Sequence, residues 1–164
     1  MQIPQIIETE HFRFVDYTLL SESEQHQIHE ARNHPDITVW MENQDYIPWH
    51  SHLDFVSSLS NNANKAYYGV FRGGILVGSQ SLNPINGNIE GESGQYLFPA
   101  YQGKGLGRLM KTEFFNYIFE NNILQKITEK VKKGNYRNQH INEKLGFRMY
   151  DSDEKYIYYE LLKP

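Results

Sequence analysis

The sequence predicts one α/β domain, a mixed and twisted sheet of about seven strands with roughly four helices interleaved. Three observations predict it. The chain has 164 residues, 39% apolar and 22% charged, which suits one folded core and not a disordered tract. Segments of period 2 and period 3.6 follow one another in the order β-α-α-β-β-β-α-β-α-β-β, an order that neither a bundle nor a sandwich produces. Three glycines, Gly103, Gly105 and Gly107, stand immediately ahead of the longest amphipathic stretch. No repeat, linker or low-complexity tract divides residues 1–164, so one domain is expected throughout.

Each element has a local reason. "HFRFVDYTLL" alternates and predicts a strand over 11–20. "SESEQHQIHEARNH" predicts a helix with Ser21 or Ser23 as N-cap, stopped before Pro35. "PWHSHLDFVSSL" predicts a second helix, with Pro48 suited to its first turn. "KAYYGVFR" and "ILVGSQSL" predict strands joined by a hairpin at Gly73-Gly74. "NIEGESGQYLF", residues 88–98, predicts a third strand of this group, and Gly91 and Gly94 inside it predict a bulge or a close approach by another group. After the glycines, Leu106, Leu109, Met110, Phe114, Tyr117 and Ile118 fall on one helical face. "KITEKVKK" predicts a strand. "YRNQHINEKL" predicts a helix closed by Gly146 in the left-handed region. "FRMY" and "KYIYYELL" predict two strands around the polar turn "DSDE".

Composition removes several classes of function. The net charge of −4 gives no basic footprint, so no nucleic-acid partner is expected. Cysteine is absent, which excludes disulfides, thiolate metal sites and a cysteine nucleophile. No stretch approaches the ~20 apolar residues of a membrane span, and "MQIPQIIETE" has neither the basic start nor the apolar middle of a signal peptide. The expected location is the cytoplasm, without a membrane partner. His50-x-His52 has metal-like spacing but no third ligand, and no metal is expected. Exposed strand edges at the C-terminus leave a homodimer open.

The stretch "PAYQGKGLGRLM" then raises a choice. Its glycines either turn a corner or let backbone amides close around phosphate at a helix N-terminus, with Lys104 adding charge. It is not a Walker A loop, since no G-K-[ST] follows, and its G-x-G-x-G spacing is not the dinucleotide fingerprint. It reads Gln102-Gly103-Lys104-Gly105-Leu106-Gly107, or Q-x-x-G-x-G, and "NYRNQHINEKLGF" follows in residues 135–147.

In this order and spacing the two stretches resemble the GCN5-related N-acetyltransferases, and the element order resembles that fold across nearly the whole chain. The resemblance implies a splayed central strand and acetyl-CoA as donor. It implies that the amides of residues 103–108, through Arg108, hold the pyrophosphate. It also implies that the strand ending at Tyr96, Leu97 and Phe98 pairs with the pantetheine arm, and that Asn135 contacts the cofactor. A bulge at Gly91 and Gly94 would make room for that arm.

Acetyl transfer needs a deprotonated amine, a donor for the oxyanion, a proton for the leaving thiolate and exclusion of water. A backbone N–H near Leu97 or Phe98 suits the oxyanion. Without cysteine or a G-x-S-x-G elbow, direct attack by the amine is the simplest route. Glu92 lies four residues before Tyr96 on the same strand face and is the candidate base, its other reading being a solvated or substrate-orienting carboxylate. Many members of the family carry a tyrosine just before the "ekLGF" run, whereas this chain carries Asn142. An amide is no useful acid, so Asn142 would hydrogen-bond the sulfur, or water would protonate it, or Tyr136 or Tyr96 would substitute.

The segment "EARNHPDITVWMENQDYIPWHSHLDF" is similar to "RNHP…M…H-x-x-F" in the amino-sugar-nucleotide N-acetyltransferases of the pseudaminic acid pathway, and "DSDEKYIYYELLK" is similar too. The resemblance implies a nucleotide-activated amino sugar as acceptor, acetylated on its 4-amino group, with Arg32, Met41, His52 and Phe55 forming the pocket. A diphosphate suits a guanidinium fork, and a uracil suits a flat or soft apolar face. Ser81 is a further candidate to touch the sugar, and Trp40 and Tyr46 to shape the pocket. Each has a plainer reading: Arg32 at a helix C-terminus, Met41 and Phe55 in the core, His52 facing solvent. Two other functions stay open. One is Nα-acetylation of a ribosomal protein, and the other is an acetyl-CoA-binding module without turnover.

Overall fold

The structure is a computed structural model that describes residues 3–62, 64–85, 87 and 89–164. The expected start of a strand at Asn88 and the reading of the first two residues as free of a signal lie outside the described residues.

Among the described residues the chain forms eight strands in one mixed sheet, one more than expected. They are β1 (Ile6–Glu8), β2 (Arg13–Asp16), β3 (Ala66–Arg72), β4 (Ile75–Ile85), β5 (Glu90–Leu97), β6 (Lys126–Lys132), β7 (Arg148–Ser152) and β8 (Tyr156–Leu162), in the spatial order β1-β2-β3-β4-β5-β6-β8-β7. The extra strand is β1. Three residues are too few for alternation to announce, and it exists by pairing with β2. All neighbours are antiparallel except β5 and β6.

The helices are α1 (Glu22–Arg32), α2 (Pro35–Thr38), α3 (Trp49–Leu59), α4 (Leu106–Glu120) and α5 (Tyr136–Leu145). α1 begins in a capping box between Ser21 and Glu24, which stabilises such an end by about 1 kcal/mol. Pro35 ends α1 as expected, but it also starts the one-turn α2, a fifth helix that the sequence did not predict. Pro48 is the N-cap of α3 and not part of its first turn. Gly73 and Gly74 both have positive φ and close the β3–β4 hairpin. Residues 17–19 turn into a 3-10 helix where the first strand was expected to continue.

Two apolar clusters cover the two sheet faces. The larger packs Phe14, Tyr68, Val70 and Leu82 against Met110, Phe114, Phe115 and Ile118 of α4. The smaller packs Tyr17, Ile28 of α1 and Leu59 of α3 over Leu76. In β3, Tyr68 and Val70 serve the first cluster while Tyr67 and Phe71 serve the second, the two-residue period at work.

The centre of the sheet opens. β5 pairs with β6 only through Glu90, Gly91 and Glu92. Beyond Glu92 the strands part, which is the splay the family resemblance implied. No bulge produces it: the β4–β5 register runs without a shift from Gly78↔Leu97 to Ile85↔Glu90. Gly91 and Gly94 are explained by crowding instead. A Cβ on Gly91 would lie 2.8 Å from Leu124 Cδ1, and one on Gly94 would lie 3.0 Å from Ser81 Oγ.

Candidate functional site

A cleft of about 1490 Å³ runs from the mouth of α4, through the gap between β5 and β6, to the segment joining α1 and α3. That exceeds the 300–1,000 Å³ typical of one small ligand and leaves room for two substrates. Strand parity divides its walls. Ser79, Ser81 and Asn83 of β4 face the same side as their partners Tyr96, Gly94 and Glu92, toward α1 and α3. Gln80 and Leu82, with Gln95 and Ser93, face α4.

At the α4 mouth, Gly103 and Gly105 have φ of 76° and 79°, and an added Cβ on either would meet nothing within 4 Å. Glycine is therefore required there by conformation and not by crowding. The first bond of α4 runs from Leu109 N–H to Gly105 C=O, so the amides of Leu106, Gly107 and Arg108 precede the helical ladder. Free amides, positive φ and the helix dipole together fit a phosphate group. Gly103, Gly105, Gly107 and Arg108 line the cleft. Gln102 lines it too, but its Nε2 donates to Leu97 C=O at 3.0 Å, which ties the loop to β5. Lys104 is exposed and Leu106 is buried in the core, and neither lines the cleft. Asn135 lines it as the N-cap of α5, accepting from Asn138 N–H at 3.3 Å.

The open edge of β5 is a template for an extended amide-bearing ligand. Phe98 N–H donates to Val77 C=O at 2.8 Å, so Phe98 is not a donor to the site. It also lies outside the cleft wall, packed on the smaller cluster. By alternation the backbone groups of Ser93, Gln95 and Leu97 point the other way, into the gap. Of the two amides expected for an oxyanion, Leu97 N–H is the one directed there.

On the α1–α3 side, Tyr17 Oη and Ser79 Oγ share a 2.5 Å hydrogen bond. Burial raises the phenol of Tyr96 above its ordinary value, against hydrogen bonds with Tyr17 and Ser79 and the charge of Arg32. Tyr96 thus stays protonated and sits on the face opposite α4. Tyr136, the other tyrosine considered as an acid, is 75% exposed at the start of α5. Glu92 is exposed, paired with Asn83 and Thr128, and lines the cleft.

The five residues expected at the acceptor end are brought together along one wall. Arg32 donates through Nη2 to Asn43 C=O at 3.0 Å, while its Nη1 is buried without a hydrogen-bond partner among the described residues. His52 is buried, not solvent-facing: its Nε2 lies 2.8 Å from Gln25 Oε1. Gln25 gives its amide N–H to Tyr17 C=O, so its oxygen must accept and His52 Nε2 carries the proton. Burial, then the nearby His29 and His26, lower the His52 pKa to about 4. Met41 is half-buried, Phe55 stacks edge-on against Tyr67 at 4.8 Å, and Ser81 Oγ donates to Gly94 C=O at 3.2 Å. Trp40 and Tyr46 line the same end. No group of three His, Cys, Asp or Glu side chains is arranged for a metal among the described residues.

Asn142 departs from expectation. It is fully buried, does not line the cleft, and accepts through Oδ1 from Lys111 Nζ. Lys111 lines the cleft and also reaches Glu129 Oε1 at 2.8 Å. Neither Lys111 nor Glu129 was picked out from the sequence. The signals were a lysine inside the apolar stripe of α4 and a glutamate at the inward position between Ile127 and Val131.

The chain resembles known proteins along most of its length. The acetyltransferase (GNAT) domain family matches residues 16–148. The chain is 30% identical over 144 residues to the acetyltransferase PseH of Campylobacter jejuni, covering 87% of this chain and 88% of that one. The crystal structure of Campylobacter jejuni N-acetyltransferase PseH in complex with acetyl coenzyme A superposes with a TM-score of 0.78 at 24% identity, covering 93% and 99% of the two chains. The ribosomal L7/L12 alpha-N-protein acetyltransferase RimL superposes equally well, with a TM-score of 0.80 at 14% identity over 96% and 97%. At such identities these superpositions carry the fold and not the acceptor. No helix among the described residues is long and apolar enough to cross a membrane.

Proposed function

The chain belongs to the GNAT acetyltransferase family, and from that premise we propose that it moves the acetyl group of acetyl-CoA onto the 4-amino group of a nucleotide-linked deoxy amino sugar. The observation that carries the acceptor class is Arg32 Nη1, a buried guanidinium nitrogen on the acceptor wall of the cleft without a partner among the described residues. A buried donor without a partner is costly, and a diphosphate would supply the missing oxygens. The 30% identity to PseH supports the same class.

On this reading the α4 mouth holds the donor's pyrophosphate through the free amides of its first turn, and the open edge of β5 pairs with the pantetheine amides. Leu97 N–H stabilises the oxyanion. Glu92, on the acceptor face, takes the amine proton directly or through water. His52 offers a bare Nδ1 as acceptor, and Met41 and Phe55 supply apolar surface for a base. Tyr96, Tyr17 and Ser79 form the floor beneath the reacting amine. The protein works as one domain in the cytoplasm, without a metal.

The test is thiol release from acetyl-CoA with UDP- and dTDP-linked amino sugars beside basic peptides with free N-termini. Release with a nucleotide sugar alone is expected. Release with peptides alone would move the chain to the protein-acetylating branch.

A further inference from the structure

Lys111 interrupts the apolar face of α4 next to Met110 and one turn before Phe114 and Phe115, with its side chain 1% exposed. Burying an ammonium is costly unless oxygens surround it. Three do: Glu129 Oε1 at 2.8 Å, Asn138 Oδ1 at 3.0 Å and Asn142 Oδ1. A methionine would pack in such a place without that cost, and buried ion pairs seldom add stability over an apolar substitute. The pair therefore calls for a reason beyond folding.

Its place in the sheet supplies one. Glu129 accepts from Gln95 Nε2 at 3.1 Å, and Gln95 Oε1 accepts from Ser93 Oγ at 3.1 Å. These are the residues that line the gap just past Glu92, where β5 leaves β6. Among the described residues the cluster is incomplete: Glu129 Oε2 and Asn142 Nδ2 are buried without hydrogen-bond partners there. Glu92 and Lys111 lie on opposite faces of the sheet with the gap between them. An amine arriving from the Glu92 side and a sulfur departing toward the α4 side would meet a base and an acid in turn.

We propose that Lys111 is the acid of the reaction: the Nζ proton now given to Asn138 Oδ1, on the half-buried side of the cluster facing the cleft, goes instead to the thiolate of CoA as it leaves. The inference rests on the acetyl-transfer reading above, but not on the identity of the acceptor. The amine nitrogen forms the C–N bond to the acetyl carbon, the C–S bond breaks with its electron pair on sulfur, and the Lys111 proton forms the S–H bond. The nitrogen's surplus proton leaves through Glu92, and Lys111 regains its own from water after CoASH departs. Asn142 and Glu129 are positioning residues that hold the ammonium at the gap. Asn142 stands where the motif usually has a tyrosine, so the acid has moved from α5 to α4. Desolvation lowers the Lys111 pKa from its ordinary value, against the opposing pull of Glu129. A lowered pKa makes the ammonium a readier proton donor to a departing thiolate.

The test reads the sulfur directly. CoA is bound to the wild type, to Lys111→Met and to the double variant Lys111→Met/Glu129→Gln, which leaves no unpaired charge behind. The thiol of bound CoA is titrated by its thiolate absorbance. An ammonium at the sulfur lowers the thiol pKa, so it should ionise at lower pH in the wild type than in free CoA, and both variants should lose the difference. With an active acceptor, kcat should fall about 10²- to 10⁴-fold and the alkaline limb of its pH profile should vanish. A bound thiol that titrates alike in wild type and double variant overturns the proposal, as does Lys111→Met at full kcat. A thiol shift that the variants remove, with no acceptor acetylated, supports Lys111 and strikes only at the acceptor assignment.

Discussion

His52 donates its Nε2 proton to Gln25 Oε1 at 2.8 Å, so one helix fixes the tautomer of a histidine on another. The arrangement keeps His52 neutral, with its pKa lowered to about 4 by burial and by His29 and His26. In the unfolded chain the same imidazole titrates near ~6.5. Between those values the unfolded state binds a proton that the native state refuses. Stability should therefore fall as pH drops from about 6.5 toward 4, by on the order of 3 kcal/mol at most. Denaturant midpoints at several pH values, for wild type and His52→Gln, check this. The variant should lose that part of the slope, and an identical slope in both proteins would refute it.

Gly105 and Gly146 make a controlled pair. Both have positive φ at a helix end, 79° before α4 and 93° after α5. Gly105→Val and Gly146→Ala should each cost about 1–2 kcal/mol in conformational strain. Only the first should also weaken acetyl-CoA binding, by tenfold or more, because only Gly105 lines the cleft. Calorimetry of acetyl-CoA with both variants decides it. Equal affinity for the two would sink the phosphate-loop reading.

The split between what was legible in the sequence and what was not follows the range of the interactions. The α4 mouth was legible because glycine conformation and helix-end amides are local, and the limits of α5, from Tyr136 to the cap at Gly146, were legible for the same reason. The α2 turn was hidden, since Pro35 signals an end and a start with the same residue. Lys111 was hidden by a stronger effect. A lysine in an amphipathic helix is ordinarily read as solvent-facing, and what pairs this one is Glu129, 18 residues away on β6. Asn142 looked like a lost catalytic group because its partner lies 31 residues away on another helix. Gly91 and Gly94 signalled close approach correctly, but Leu124 and Ser81 are what approaches.

Glu92 is exposed, so replacing it tests chemistry with little disturbance of the fold. Glu92→Gln should lower kcat about 10²- to 10⁴-fold, leave acetyl-CoA binding unchanged, and shift stability by no more than about 0.5 kcal/mol. Steady-state kinetics with a calorimetric check on donor binding reads all three. A rise in the acceptor KM with kcat intact would make Glu92 an orienting residue and not a base.

Arg32 separates the pocket from the scaffold. Nη2 ties the segment after α2 to α1 through Asn43 C=O, and Nη1 is buried without a partner among the described residues. A purely structural arginine would have both nitrogens matched, because an unpaired buried donor costs about 1–3 kcal/mol. Arg32→Met should raise the KM for a nucleotide sugar about 10- to 100-fold, as expected for losing charge-assisted bonds of about 1.5–3 kcal/mol. Arg32→Lys should recover part of that loss and no more, since a lysine keeps the charge but not the planar fork. Acetyl-CoA affinity should stay the same in both, because Arg32 ends α1, at the far end of the cleft from the α4 mouth. If Arg32→Met instead weakens both substrates alike and lowers the denaturant midpoint, the guanidinium serves the loop through Asn43 and the diphosphate must be held elsewhere.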